Sequence, residues 1–498
     1  MRSLKKLSKK AGAKAEGQDW RGLLRQPANL FLIIALFFGL IFVIKTPPLW
    51  GGDETTHYAR AYQISRGDFV ADKMPYPFGG ISYGGRIPSA AYDLIWHTND
   101  DIVNDRALSS YGTHRVDNIH SYKTYTHQKL GAPDTDYFFP NTAAYSPVAY
   151  IPSAIGLGVA QTLNFNVGQS IFIARLFGLL FYIACVYWAL KSLKRGRYAW
   201  LVFAVALIPT AIFQASIIGA DVTANALAIL LTAFVVKSIA TKMLTRRELY
   251  AVAAAAIALP LIKPTYIFVS MITLLIPAEA FGKLAKFKPL IMKLAVLFIA
   301  LIGVELWAHA TAGVSEEIRR MGIGPRWTQI NPTDQTHFIT HHPTAIFTAF
   351  FRSILMTDNT YIGGVFGQFG FDFIQVPMMS ILASLTAIFM ALGIAEKIPI
   401  GRRKFLLALA ILLGGIASVF GALYITFSNV AEPIIEGVQG RYFIPLVLFA
   451  LTLVVFCNDK VKLQINNQNR QWIYSSIAVL CSFSLLAATV KFFYVMLG

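Results

Sequence analysis

Charged side chains are scarce in this chain. They make up 14% of its 498 residues, against about 25% in a soluble domain, while apolar residues reach 55%. That balance excludes an ordinary water-soluble fold. Cysteine is scarcer still: Cys185, Cys457 and Cys481 are the only three, each in an apolar stretch. Their spacing supports neither a disulfide framework nor a metal-ligand set. No internal repeat is evident, and no low-complexity segment beyond a basic N-terminal tail. Nothing in the chain resembles a cleavable leader, because the first apolar stretch, Asn29 to Lys45, is long and lacks a small-residue cleavage site. Acidic residues are outnumbered, 26 against 44 Lys and Arg, for a net charge of +18.

What is present are many apolar runs near the roughly 20 residues that cross a bilayer. The fold class is therefore an all-α polytopic membrane protein. In a soluble protein the positive excess would point to nucleic acid. Here the basic residues sit in short clusters between apolar runs, which fits topology and anionic lipid head groups instead. The clusters are the tail, Lys191 to Arg197, Lys242 to Arg247, Lys283 to Lys288, Gly401 to Lys404 and Lys460 to Arg470. Placing all of them on the cytoplasmic side predicts spans near 28–45, 170–190, 199–217, 221–240, 248–262, 264–281, 289–310, 376–396, 404–427, 441–457 and 472–496. That is about eleven crossings, with the C-terminus outside. Ala143 to Leu163 is apolar enough for a twelfth. Counting it would put the Lys191 cluster outside, and Pro147 and Pro152 interrupt it, so it reads as re-entrant or interfacial.

The chain divides into a cytoplasmic tail (1–27), an N-terminal membrane module (28–311) with a first outer loop (46–141), a second outer loop (312–377) and C-terminal helices (378–498). Loops of this size usually carry function. The first opens with GGDETTHYARAYQISRG, Gly51 to Gly67, which sets Asp53 and Glu54 side by side at the membrane face. On a helix running to Gly67, Asp53, His57 and Arg60 share a face. The carboxylates either complement the helix dipole in its first turn or act as a general base or metal ligands. His57 fits orienting a carboxylate better than binding metal.

Further polar groups fall at the same predicted boundary. Asp221 begins a span; Lys263 sits in ALPLIKPTY between two short ones. A lysine at the bilayer centre costs roughly 2.5–3.5 kcal/mol on insertion scales, so Lys263 either snorkels to the interface or meets a phosphate. Arg175 begins a span too, as a phosphate ligand or in a structural ion pair with a carboxylate. Arg441, in GVQGRYFIPL with Gln439 and Tyr442, stands behind two glycines that allow close backbone approach, which suits an anion site. Cations converging with carboxylates at one membrane face suit a lipid-linked phosphate. A hydroxyl attacking an anomeric carbon needs a base for its proton, and fixed cations can stabilise a departing phosphate.

At these residues the chain resembles the GT-C superfamily of membrane glycosyltransferases, which carry an acidic motif in the first outer loop and use polyprenyl-phosphate sugars. More narrowly, GGDETTHYARAYQISRG, YSPVAYIP, the ARL of Ala174 to Leu176, GADVTANAL, LIKPTY, GVFGQFGFDFIQVP and GVQGRYFIP look like the bacterial "domain of unknown function 2142" membrane family. They run in order from about Pro47 to Pro445. The resemblance implies a GT-C-like bundle of about 11–12 helices, with Asp53 as catalytic base or metal ligand and Glu54 supporting it or sharing a divalent cation, Mg or Mn. It also implies Asp221 as a second acidic position, and Lys263, Arg441 and Arg175 at the donor phosphate. His57, Arg60, Gln439 and Tyr442 would support the site or touch substrate. Thr55 stands where the family more often has proline.

The function expected is transfer of a sugar from a polyprenyl phosphate to an envelope glycan, lipid or protein acceptor, at the outer face of the cytoplasmic membrane. Tyr76, Tyr83 and Trp96 are candidates for stacking on sugar rings. A flippase of lipid-linked sugars would instead need mid-span charges and a repeat. A ligase or polymerase with a diphosphate donor would draw on Arg319, Arg320 and Arg326 in the second outer loop.

Overall fold

A computed structural model of the chain describes residues 26–497 apart from 78, 110–120, 132, 194–195, 315–316, 318–329, 371–373 and 458–466. The basic tail, Arg319, Arg320, Arg326 and most of the Lys460 to Arg470 cluster lie outside the described residues.

The protein is a helical bundle carrying a small mixed cap. Helix α1 (Pro27–Lys45) leads into the short α2 (Glu54–Ser65). The first outer loop then folds into strands β1 (Asp72–Pro75), β2 (Ile81–Pro88) and β3 (Asp134–Phe138), with helix α3 (Ser89–Ser109) between the last two. All pairings in this three-stranded sheet are antiparallel. The sheet is pinned to α2: the Gln63 amide donates to the carbonyls of Val70 and Gly84, and Arg66 pairs with Asp134 at 2.6 Å.

Helix α4 (Ile151–Thr162) has 12 residues, about 18 Å at 1.5 Å per residue, too short for a hydrocarbon core of about 30 Å. It lies close along α5 (Val167–Ser192), where a Cβ at Gly156 would come 2.9 Å from the Ile173 carbonyl oxygen. Small residues permit such backbone contact between membrane helices.

The bundle continues through α6 (Tyr198–Ala206), α7 (Pro209–Ala215), α8 (Ala220–Thr241), α9 (Arg246–Ile262), α10 (Ile267–Met271) and α11 (Pro289–Ala310). The second outer loop forms α12 (Pro332–His341), α13 (Pro343–Met356) and α14 (Asp358–Phe366), followed by a two-residue ladder of β4 (Gln368–Phe369) and β5 (Ile374–Gln375). Helices α15 (Met378–Ile394), α16 (Arg402–Thr426), α17 (Ile444–Cys457) and α18 (Asn467–Leu497) close the bundle.

Seven helices among the described residues are long and apolar enough to cross a membrane, and up to nine if each bent pair is one span. This falls short of the eleven expected, and the reason is local. The run 199–217 breaks at Ile208–Pro209 into α6 and α7, bent by 63°, and the run after Lys263 breaks at Ile276–Pro277 by 89°. Proline removes a backbone donor and clashes with the preceding turn. Helices α9 and α15 have only 17 residues each. Helix α8 is the centre of the bundle, with 89% of its apolar window buried; α11 is peripheral, with 11%.

Candidate active site

One end of the bundle collects the polar residues, because four segments start or stop there. Asp53 follows α1, Asp221 sits in the first turn of α8, Lys263 ends α9 before Pro264, and Arg441 precedes α17. Together with Gly52, His57, Tyr145, Gln214 and Tyr442 they line a cleft of about 40 Å³.

Asp53 adopts a left-handed conformation (φ 54°, ψ 20°) at the N-cap of α2, yet its side chain makes no capping bond. Aspartate tolerates this conformation better than most residues. Freed from the cap, the carboxylate is 49% exposed at the mouth of the cleft, with Arg441 Nη2 3.7 Å from its Oδ2. Asp53 therefore stands at the N-terminus of α2 without a hydrogen bond to it. Opposite it, Asp221 accepts from Lys263 Nζ at 2.6 Å, and Arg441 Nε lies 3.8 Å from its other oxygen. Lys263 also stands 4.2 Å from the centre of the Tyr442 ring. Gly52 admits the arginine, since a Cβ there would collide with Arg441 Nη1. The guanidinium thus reaches both carboxylates, and cation donors face a space that both carboxylates border.

His57 hydrogen-bonds through Nδ1 to the Tyr150 hydroxyl at 2.6 Å. Burial pushes its pKa down to about 4, against the opposing pull of Asp53 and Asp221, so the imidazole is neutral at pH 7. The folded value lies below the ordinary 6.5, so the unfolded chain binds the proton first as pH falls. His57 therefore contributes stability that is intact above about pH 6.5 and is lost progressively toward pH 4, by up to roughly 3 kcal/mol. A His57→Gln protein should show a flatter fall in unfolding midpoint across that window. Equal slopes for the two proteins would remove His57 as the cause.

The geometry places several of the expected site residues away from the cleft. Glu54 is fully buried and points away from Asp53. One oxygen accepts from Arg175 Nε (2.7 Å) and the Ile218 amide (2.9 Å); the other accepts from Arg175 Nη2 (2.6 Å) and the Gly51 amide (2.9 Å). Arg175 spends its remaining donors on the Val43, Thr46 and Pro47 carbonyls. Glu54 is thus neither a catalytic partner nor a ligand beside Asp53, and Arg175 is not at a phosphate: the ion-pair alternative describes it. Arg60 is buried and donates to Gln63 and the Phe69 carbonyl rather than orienting the acidic pair, because α2 turns that face into the cap. Gln439 does not line the cleft. Nor do Tyr76, Tyr83 or Trp96: Tyr76 packs on Phe138, Tyr83 bonds the Ala312 carbonyl and Trp96 packs on Tyr92.

The donor set does not fit a divalent cation at Asp53 and Glu54. Glu54 is consumed by Arg175, and the Arg441 guanidinium stands against the two carboxylates that do converge. Among the described residues no three His, Cys, Asp or Glu side chains gather as a metal site.

The cleft adjoins a larger, mostly apolar cavity of about 390 Å³ between α9, α11 and α16. Tyr145, Lys263 and Tyr442 belong to both. Pro260, Val304, Trp307, Val419 and Leu423 line the apolar part. Sequence reasoning missed Trp307, Tyr145 and Gln214. Tyr145 carried a signal within YSPVAYIP; the other two were masked by apolar surroundings. Gln214 links Asp221 to Asn225.

Fold and site define a multi-pass helical membrane protein in which a charged cleft meets an apolar groove. The chain belongs to the family described as "Predicted membrane protein (DUF2142)", which it matches over residues 36–450. No curated protein and no solved structure matches it.

Proposed function

We propose that the protein is a membrane glycosyltransferase that moves a sugar from a polyprenyl-phosphate donor to an acceptor hydroxyl. The observation that carries this reading is the junction at Lys263 and Tyr442, where a cleft bearing two cations and two carboxylates adjoins an apolar groove. A ligand filling both must join an anionic group to a long apolar chain. Inorganic phosphate leaves the groove empty, and a neutral lipid brings no anionic group to the Lys263 and Arg441 side of the cleft.

In this reaction the acceptor oxygen attacks the anomeric carbon while Asp53 takes the hydroxyl proton. The bond from that carbon to the phosphate oxygen breaks, and polyprenyl phosphate leaves with increased negative charge. Lys263 and Arg441 stabilise that charge where it develops. Asp221 holds Lys263 in place, and neutral His57 leaves the local charge to the cations. In-line displacement would invert the anomeric centre. The basic side chains of Lys242, Lys293 and Lys404 sit at the far ends of α8, α11 and α16, which supports an extracytoplasmic site by the positive-inside rule. On that reading the acceptor is a glycan, lipid or protein of the cell envelope.

The test is sugar transfer by purified protein in lipid vesicles, supplied with polyprenyl-phosphate sugars and envelope acceptors. Transfer to an acceptor is expected. Movement of lipid-linked sugar across the bilayer with no transfer would replace this function with that of a flippase, and transfer only from a diphosphate donor would make it a ligase or polymerase.

A further inference from the structure

The opposite end of the bundle holds a second arrangement of cations and apolar surface, unrelated to the cleft. The chain after Lys263 descends as a broken helix and turns at Ile276–Pro277. Three successive carbonyls at that turn are bound by lysines from two other helices. Lys293 Nζ, from α11, donates to Leu274 (3.1 Å) and Ile276 (3.0 Å), and Lys404 Nζ, from α16, donates to Leu275 (3.2 Å). Two ammonium groups are thereby held side by side. Each carries three donors, so these bonds leave one on Lys293 and two on Lys404. Among the described residues no carboxylate lies within ion-pair distance of either; Glu279 acts on Lys404 from farther away, and Lys242 adds a further positive charge.

Beside this pair lies an apolar groove of about 630 Å³. Its walls are Ile267, Met271 and Leu274 on one side and Ile291, Phe298 and Leu301 of α11 on the other. From Ile291 to Leu301 the groove follows α11 for about 15 Å, one leaflet of a hydrocarbon core about 30 Å thick. It begins level with Lys293 and runs toward the middle of the bundle.

We propose that this is a binding site for an acidic phospholipid, with its phosphate on Lys293 and Lys404 and an acyl chain in the groove. Capping three carbonyls explains part of the lysine donors but not the adjacency of two cations without a carboxylate. An anion between them removes their repulsion. A lipid supplies that anion at the depth where the groove starts, whereas a free anion leaves the groove uncovered. Basic side chains near a membrane surface favour anionic lipid, so the pair selects by charge and the groove holds by apolar contact.

The full-length protein would be exchanged into an equal mixture of phosphatidylglycerol and phosphatidylcholine, purified, and its retained lipid counted by mass spectrometry. Retention enriched about tenfold in phosphatidylglycerol is expected, with the enrichment falling to near parity in K293Q/K404Q. Equal retention of the two lipids by wild type, or undiminished enrichment in the double variant, overturns the proposal. Ala295→Phe fills the groove while leaving both lysines, and keeps the test decisive if the double variant does not fold. It should also lose the retained phosphatidylglycerol, and full retention would overturn the site. Displacement of that lipid by millimolar inorganic phosphate would make this a free-anion site and overturn the lipid assignment.

Discussion

Asp53→Asn protein, purified in lipid, should transfer sugar at least about a thousandfold more slowly than wild type, within the 10²–10⁴ range for loss of a positioned base. The substitution is unusually clean here. Asp53 occupies a left-handed conformation and makes no capping bond, and asparagine suits that backbone as well as aspartate does. The side chain is half-exposed, and Arg441 approaches it only to 3.7 Å. Loss of the charge therefore removes the proposed proton acceptor with little effect on folding. The measurement pairs single-turnover transfer with an unfolding midpoint. Transfer undiminished in the folded variant would shift the base to Asp221, the other carboxylate in the cleft.

Arg175→Ala should act in the opposite way, through folding. Removing it leaves Glu54 buried without its partner and strips the Thr46 and Pro47 carbonyls of their donors. Breaking one half of a buried pair costs about 3–5 kcal/mol. We expect a sharply lowered unfolding midpoint and poor recovery of folded protein. Any molecules that do fold should keep their donor KM, because Arg175 touches no part of the cleft. A stable Arg175→Ala protein with a raised donor KM would instead restore the arginine to the phosphate site.

The contrast between these neighbours explains what the sequence made legible. Composition and the apolar runs sufficed for a helical membrane protein, since every backbone group in hydrocarbon must be satisfied within a helix or closed barrel. Asp53, Asp221, Lys263 and Arg441 were findable because each is a charged residue where an apolar run stops. Their convergence follows from helix ends meeting at one face. The division of labour between Asp53 and Glu54 was not legible. They are consecutive, and only the turn at Gly51–Gly52 sends one outward and the other inward to a residue 121 positions away. The same holds for the bends at Pro209 and Pro277, whose runs look continuous by hydropathy. The β1–β3 sheet was hidden for another reason: its short strands are rich in polar residues and glycine and earn no strong period-two pattern.

The wall formed by α11 has a kinetic consequence. This helix is the least buried of the apolar seven, yet Val304, Trp307 and Ala308 on it line the groove that meets Lys263. On the proposed function, a polyprenyl donor would reach a groove walled by so exposed a helix sideways, by diffusion within the bilayer plane. Its availability is then a surface density rather than a bulk molarity. Diluting the donor with inert phospholipid at constant total amount should slow transfer in proportion to its mole fraction, while changing the assay volume should leave the rate per protein unaltered.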